Sequence, residues 1–331
     1  TKQQHQLKFE EPIREIYRLL IERCLSFNPK ERPTFSEIVY ELENNKSFIN
    51  DEVDQDKFNE YIKFIKESEI SFDQTKGIDQ IDHIIKSKLY DFPESKLKIN
   101  IRDIYETELN EVLFDFNMID INNYEKQQLI HDCDSFKYYK TIDKKSKTTF
   151  LAYKSRQKFI EWRYDLIYVL ESILMLNHPS IIKFIGYSPL NFKNKPFPTI
   201  ITEYGSNGSL EKILENDIKS KSKTLLNDTK RLIIIYGIAA GLQYMHAHNI
   251  IHQKLSPSKI ILDDFLFPKI TGFQFFRDSS KYPIPEISEL IVHANFWGKY
   301  YVAPEFFLYG LICTASDVSS FAMIVYQLIT N

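Results

Sequence analysis

Three lysines, Lys154, Lys254 and Lys259, carry the charges whose chemistry is simplest to state. A protonated ammonium group neutralises an anion but cannot hold a divalent metal ion. Groups able to hold a metal or accept a proton lie nearby in sequence as Asp263, Asp264 and Asp278. Asp263-Asp264-Phe265 reads as a β-turn, where Asp is ordinarily a turn former, and Asp278 falls in the next loop. His252 stands among these residues, yet no serine or cysteine is patterned as its nucleophile, so a structural role is expected of it. Cys24, Cys133 and Cys313 are odd in number and far apart. They match neither a disulfide framework nor a zinc site, and a reducing, cytoplasmic setting is the expectation.

The surrounding chain has 331 residues, with 42 Lys or Arg against 45 Asp or Glu and a formal charge of −3. Such mild acidity excludes nucleic-acid binding by bulk charge. With 43% hydrophobic and 26% charged residues the composition is globular, which excludes disorder throughout. The longest apolar run, Leu232 to Met245, falls short of the roughly 20 residues a membrane helix needs. No apolar stretch follows Thr-Lys-Gln-Gln-His at the start, so neither a secretory signal nor a membrane association is expected.

Elements that must position these groups follow from periodicity. Ile13, Ile16, Tyr17, Leu20 and Cys24 fall at helical spacing behind Pro12, and a second helix opens at Thr34, where Thr34 and Glu37 have capping-box spacing. The two are expected to form a compact antiparallel or angled pair. Phe58, Tyr61, Ile62 and Ile65 mark an amphipathic helix within residues 49–121, a charged, partly helical linker expected to stand apart from any core. From about residue 122 short β-type runs take over: Tyr124 to Ile130, Phe136 to Thr141, Thr149 to Lys154, Ile181 to Tyr187 and Thr199 to Tyr204. A helix is expected over 157–176, stopping before His178-Pro179. Beyond Gly208 the chain reads as helical, chiefly Thr229 to His248 and Asp317 to Thr330.

The order Asn177-His178-Pro179-Ser180-Ile181-Ile182, Thr202-Glu203-Tyr204-Gly205-Ser206-Asn207-Gly208-Ser209-Leu210 and Ile250-Ile251-His252-Gln253-Lys254-Leu255-Ser256-Pro257 resembles the eukaryotic protein kinases, most closely their tyrosine-kinase-like branch. That resemblance implies an α+β, bilobal protein kinase-like fold, with a small antiparallel β lobe and a larger, mainly α-helical lobe over residues 122–331. Residues 20–35, including Arg32-Pro33-Thr34-Phe35, are similar to the closing helices of the same fold. Residues 1–48 therefore resemble the end of a kinase domain, while 122–331 lacks its last helices. Tandem domains cut at both ends and a permuted arrangement both fit this order.

The resemblance also assigns roles. Ala152, Thr202, Glu203, Gly205 and Ile261 match adenine-pocket and hinge positions, and Lys154 matches the lysine that meets the phosphates. Phe184, Ile173, Phe273, His252 and Asp317 match the apolar stack between the lobes and its anchor, and Glu305 in Ala303-Pro304-Glu305 matches a glutamate normally buried against an arginine. Arg32 is the candidate partner.

Departures from the family pattern fall where its chemistry lies. Lys254 occupies the position of the proton-accepting carboxylate, Lys259 that of the metal-binding asparagine, and Gly272 that of the metal-binding aspartate. The segment matching the glycine-rich loop, Ile130 to Lys137, has no glycine and carries Asp132 and Asp134. The glutamate expected nine residues before His178 is Val169; Glu171 lies about 200° round the helix, and Asp165 reaches Lys154 only if the helix shifts by a turn. Gln253 replaces an arginine used in loop-phosphorylation switching, with Ser279 and Ser280 as remaining targets. The expected function is a catalytically inactive kinase-like regulatory or scaffolding module that binds other proteins, kinases among them. It requires no cofactor, and weak ATP binding without magnesium is an accompanying expectation, the three lysines lining the phosphate end. The competing reading is a divergent, active Ser/Thr protein kinase transferring the ATP γ-phosphate to protein hydroxyls.

Overall fold

In the computed structural model the described residues are 13–72, 117–133, 135–158, 169–170, 172–174, 176–220, 225–273, 276–278 and 301–330. They fall into two units, one formed by residues up to 68 with 178–182 and 205 onward, the other by 69–177 with 183–204.

The second unit is built on alternating, β-branched and aromatic segments that form a five-stranded antiparallel sheet. Its strands are β1 (Tyr124–Asp132), β2 (Phe136–Asp143), β3 (Thr149–Ser155), β4 (Phe184–Ser188) and β5 (Thr199–Glu203), in the order β1-β2-β3-β5-β4. The β2–β3 turn is fixed by Asp143, whose Oδ1 accepts from the amides of Lys145 and Ser146 at 2.9 and 2.6 Å. Register is set by Tyr139 opposite Ala152 and Ala152 opposite Ile201. Ala152, Ile201 and Ile121 form a buried cluster, against which Ile119, Tyr139, Ile185, Leu190 and Phe192 pack.

The helical unit begins with α1 (Glu15–Cys24), α2 (Phe35–Asn44) and α3 (Gln55–Phe72). After the β unit it continues with β6 (Gly208–Ser209), α4 (Leu210–Ser220), α5 (Asp228–Ala247), β7 (Ile250–Ile251), β8 (Ile260–Leu262), β9 (Pro268–Ile270), β10 (Arg277–Asp278), α6 (Pro304–Tyr309) and α7 (Thr314–Thr330). α5 is apolar around most of its circumference and buries thirteen residues from Thr229 to Met245, which makes it the axis of this unit. Both halves of the Thr34–Glu37 capping box form. α1 and α2 do not form a self-contained pair: α2 packs on α5, and α1 packs on α7. Phe35 meets Phe321 and His246 edge-on, at centroid distances of 5.4 and 5.1 Å.

Residues 49–68 also differ from a connector standing outside the core. Asp54 donates its amide to Thr229 Oγ1 at 2.8 Å, and Phe58, Tyr61 and Ile65 are buried. Phe58 and Tyr61 lie edge-on to Tyr236 at 5.7 and 6.1 Å, and Tyr61 reaches Phe267 at 4.5 Å. The charged composition of this stretch belongs to the solvent side of α3; its aromatic stripe belongs to the core. Residues 73–116, the rest of the expected linker, lie outside the described residues. So does most of the expected 157–176 helix, of which 169–170 and 172–174 are helical.

The helical unit is thus completed by residues that precede the β unit in sequence. α7, apolar on most faces, buries Val318, Phe321, Ala322, Ile324, Val325 and Leu328 under this cover. Replacing Phe58 by Ala is expected to cost about 3–5 kcal/mol of unfolding free energy in urea. A change within about 0.5 kcal/mol, typical of an exposed linker position, would contradict the packing.

Candidate functional site

In the helical unit the loop after β7 is organised by one carboxylate. Asp317, in the first turn of α7 and buried, accepts from the backbone amides of His252 (2.8 Å) and Gln253 (3.0 Å) and meets His246 Nε2 at 2.9 Å. The His252 ring is fully buried, and burial pushes its pKa down to about 4, so the ring is neutral. Its Nε2 lies 2.9 Å from the Thr271 carbonyl, which can only accept, and its Nδ1 accepts from the Lys254 amide at 3.2 Å. Both ring nitrogens are therefore used to tie the loop to the strand-following segment 271–273. His252 is a structural residue, in keeping with its lack of a nucleophile partner.

That segment holds the position where the family pattern places a metal carboxylate. Gly272 has φ +97°, which L side chains rarely adopt, and a Cβ there would stand 3.2 Å from Lys259 Cδ and 3.4 Å from His252 Cε1. Backbone pairing holds the two together, with Thr271 N donating to Lys259 O at 2.8 Å. The Lys259 stem thus packs tightly against Gly272. The residues present do not fit a magnesium ion: two ammonium side chains and a glycine offer no oxygen ligand. Asp263 is committed to its turn, with its Oδ1 accepting from the amides of Phe265 and Phe267 at 2.9 Å each, and Asp264 is bonded by the Ser206 hydroxyl. The side chain of Asp278 lies outside the described residues, as do Gln274, Ser279 and Ser280.

In the same unit Gly205 and Ile261 are brought together. A Cβ on Gly205 would stand 2.1 Å from Ile261 Cγ2, so glycine permits this close backbone approach. Phe273 is fully buried beside the loop.

In the β unit the register separates residues that the family pattern groups. Leu151 pairs with Thr202 and Phe184 pairs with Thr202, so these three share a face; Ala152 and Lys154 pair with Ile201 and Thr199 and point to the other. A one-residue offset moves every side chain of a strand to the opposite face. Tyr153 and Tyr138, T-shaped at 4.8 Å, stand on the Thr202 face instead. Ala152 and Lys154, expected beside Thr202, thus stand on the opposite face of the sheet from it. Lys154 Nζ sits 4.7 Å from the centroid of Phe197, and its pKa is lowered by burial and by Lys137, Arg156 and Lys126. Among the described residues it has no carboxylate partner; Asp132 bridges Lys137 at 3.0 Å and Arg156. The loop matching the glycine-rich motif is a closed hairpin, with Cys133 N donating to Phe136 O at 3.0 Å. Glu203 uses its side chain to accept from Lys183 N at 2.8 Å. Ile173 is buried in the short helical stretch. Asp134, Asp165 and Glu171 lie outside the described residues.

Glu305 and Arg32 meet as a bidentate pair. Nη1 and Nη2 of Arg32 donate to Oε1 and Oε2 of Glu305, both at 2.8 Å, with the two side chains 0% and 2% exposed. Arg32 further donates to the carbonyls of Ala315 (2.9 Å) and Ser26 (2.8 Å), and Ser316 Oγ donates to Glu305 at 2.8 Å. Burial raises the Glu305 pKa, but the hydrogen bonds from Arg32, its own amide and Ser316 outweigh it and leave the carboxyl below its ordinary value.

A family model described as protein tyrosine and serine/threonine kinase matches residues 137–331, more than half of the chain. The chain belongs to that kinase family. The chain is 31% identical over 184 residues to a G-type lectin S-receptor-like serine/threonine-protein kinase of Arabidopsis thaliana, covering 55% of this chain and 20% of that protein. It is 34% identical over 184 residues to cysteine-rich receptor-like protein kinase 6 of Oryza sativa subsp. japonica, covering 55% and 24%. A probable serine/threonine-protein kinase of Arabidopsis thaliana is 29% identical over 213 residues, covering 63% and 53%. The chain thus spans about a fifth to a half of the length of these relatives.

Because His252 binds its proton far less readily when folded than when unfolded, the unfolded chain takes up more protons between pH 6.5 and 4, and stability falls with pH across that window. The expected loss is on the order of 3 kcal/mol. Urea unfolding of the His252→Gln variant at pH 7 and pH 4.5 should show a smaller pH dependence than the parent; equal slopes would contradict a buried neutral His252.

Proposed function

We propose that this kinase domain does not transfer phosphate and works as a regulatory or scaffolding module, binding other proteins through a kinase frame whose chemistry has been replaced. The observation that carries this reading is the packing of the Lys259 stem against Gly272. Transfer of the ATP γ-phosphoryl group needs a metal to neutralise developing charge and a carboxylate to orient the acceptor hydroxyl. Loss of the general base alone costs about 10²- to 10⁴-fold in rate, and Lys254 stands at its position. Lys259 and Gly272 stand at the metal positions, and the carboxylates Asp263 and Asp264 are engaged in a turn. Ala152 and Lys154, turned away from the Thr202 face, further argue against a family-type nucleotide pocket.

The rival reading, a divergent active Ser/Thr kinase, is favoured by its similarity to proteins named as serine/threonine-protein kinases. No helix among the described residues is long and apolar enough to cross a membrane.

Incubated with γ-labelled ATP, magnesium or manganese, and generic protein acceptors, the purified chain is expected to incorporate no label above a heat-denatured control. Incorporation that disappears in the Lys154→Met variant would establish the rival. A thermal-shift titration separates binding from transfer: ATP, with magnesium or with EDTA, is expected to leave Tm unchanged. Saturable stabilisation that survives EDTA would instead restore nucleotide binding without metal.

A further inference from the structure

The helical unit consists of two pieces of chain that touch each other but are linked only through the β unit. The first, residues 13–68, buries Leu20, Ile21, Phe35, Ile38, Phe58 and Tyr61 in the interface or beneath it. Its receiving surface is made by α5, α7 and the Phe267 loop, with Glu305 at one end and Thr229 at the other. Specificity is high for such a surface. A fork of two 2.8 Å bonds from Arg32, a third to Ala315 O and the Asp54 amide on Thr229 all lie at fixed points along it.

Nothing in these contacts requires both pieces to come from one molecule. Between the end of α3 and residue 117 lie 44 residues, a length of chain that at roughly 3.3 Å per residue could span at most roughly 145 Å. Identical contacts can then form within a chain or between two chains, the condition for exchange of an element between protomers. We propose that the surface formed by α5 and α7 also receives residues 13–68 of a second copy of this chain, giving a closed dimer in which each copy's Arg32 pairs with the other's Glu305. Contacts within one chain do not depend on concentration, whereas those between two chains do, so the single chain closes on itself in dilute solution and the exchanged dimer grows with concentration. The occupant is another copy because residues 13–68 carry the side chains that this surface is seen to accept. The inference holds whether or not the domain transfers phosphate.

The test refolds Arg32→Ala and Glu305→Ala chains from urea, separately and as an equimolar mixture, and reads mass by light scattering and Tm by calorimetry. Each variant alone leaves one buried charge without its partner in every closed form. In the mixed dimer one interface has both residues and the other has neither, so the stranded charges vanish. The expected result is a species of twice the monomer mass in the mixture, with a Tm above either variant alone. A mixture whose elution and melting are the sum of its parts overturns the proposal. Should neither variant refold, parent chains with two different tags are co-refolded at about 0.05 and 0.5 mM, a tenfold range over which mass action favours a dimer. Doubly tagged dimer whose share rises with concentration supports exchange, and none at either concentration overturns it.

Discussion

The buried pair between Arg32 and Glu305 is the constraint on which the helical unit depends. Taking both charges out of water is costly, and it is offset here by bidentate geometry and by bonds to Ala315 O, Ser26 O and Ser316 Oγ that satisfy the remaining donors and acceptors. Ala315 and Ser316 immediately precede Asp317. The pair therefore fixes the first turn of α7, and that turn presents the carboxylate that holds His252 and Gln253. A residue early in the sequence thus reaches, in two steps, the loop where the family places its chemistry. Phe35, packed on His246 and Phe321, supports the same turn from its other side.

With the loop held so firmly, the contrast with its contents becomes sharp. Asp317, the neutral His252 and the buried Phe273 hold the loop, whereas the positions where the family pattern places proton acceptance and metal binding carry two ammonium groups and a glycine at positive φ. Frame and chemistry have different physical requirements: the frame needs volume and hydrogen bonds, the chemistry needs oxygen ligands at defined points. A chain can keep the first and lose the second without loss of stability.

Much of this was readable in the residues. The Thr34–Glu37 box, the strand runs around Tyr138 and Ile200, the apolar helices around Ile235 and Phe321, and the Arg32 to Glu305 contact all follow from local chemistry or from the need to pair a buried charge. Three features were not. The face of β3 depends on register with its neighbours, and the run Phe150-Leu151-Ala152-Tyr153-Lys154 is apolar on both sides, so alternation gives no direction. The burial of Phe58 and Tyr61 was masked by the acidic and basic residues on the opposite side of their helix. The Lys259 stem over Gly272 joins residues thirteen apart across two strands, a contact that sequence spacing does not encode.

A double-mutant cycle on Arg32→Ala and Glu305→Ala, read by equilibrium urea unfolding, tests the central claim most directly. Each single change is expected to cost about 3–5 kcal/mol, because it strands a buried charge. The double variant should cost clearly less than the sum of the two, leaving a coupling of at least about 2 kcal/mol. Single costs that are small and strictly additive would mean that Arg32 does not sit on Glu305, and that residues 13–68 do not complete this domain.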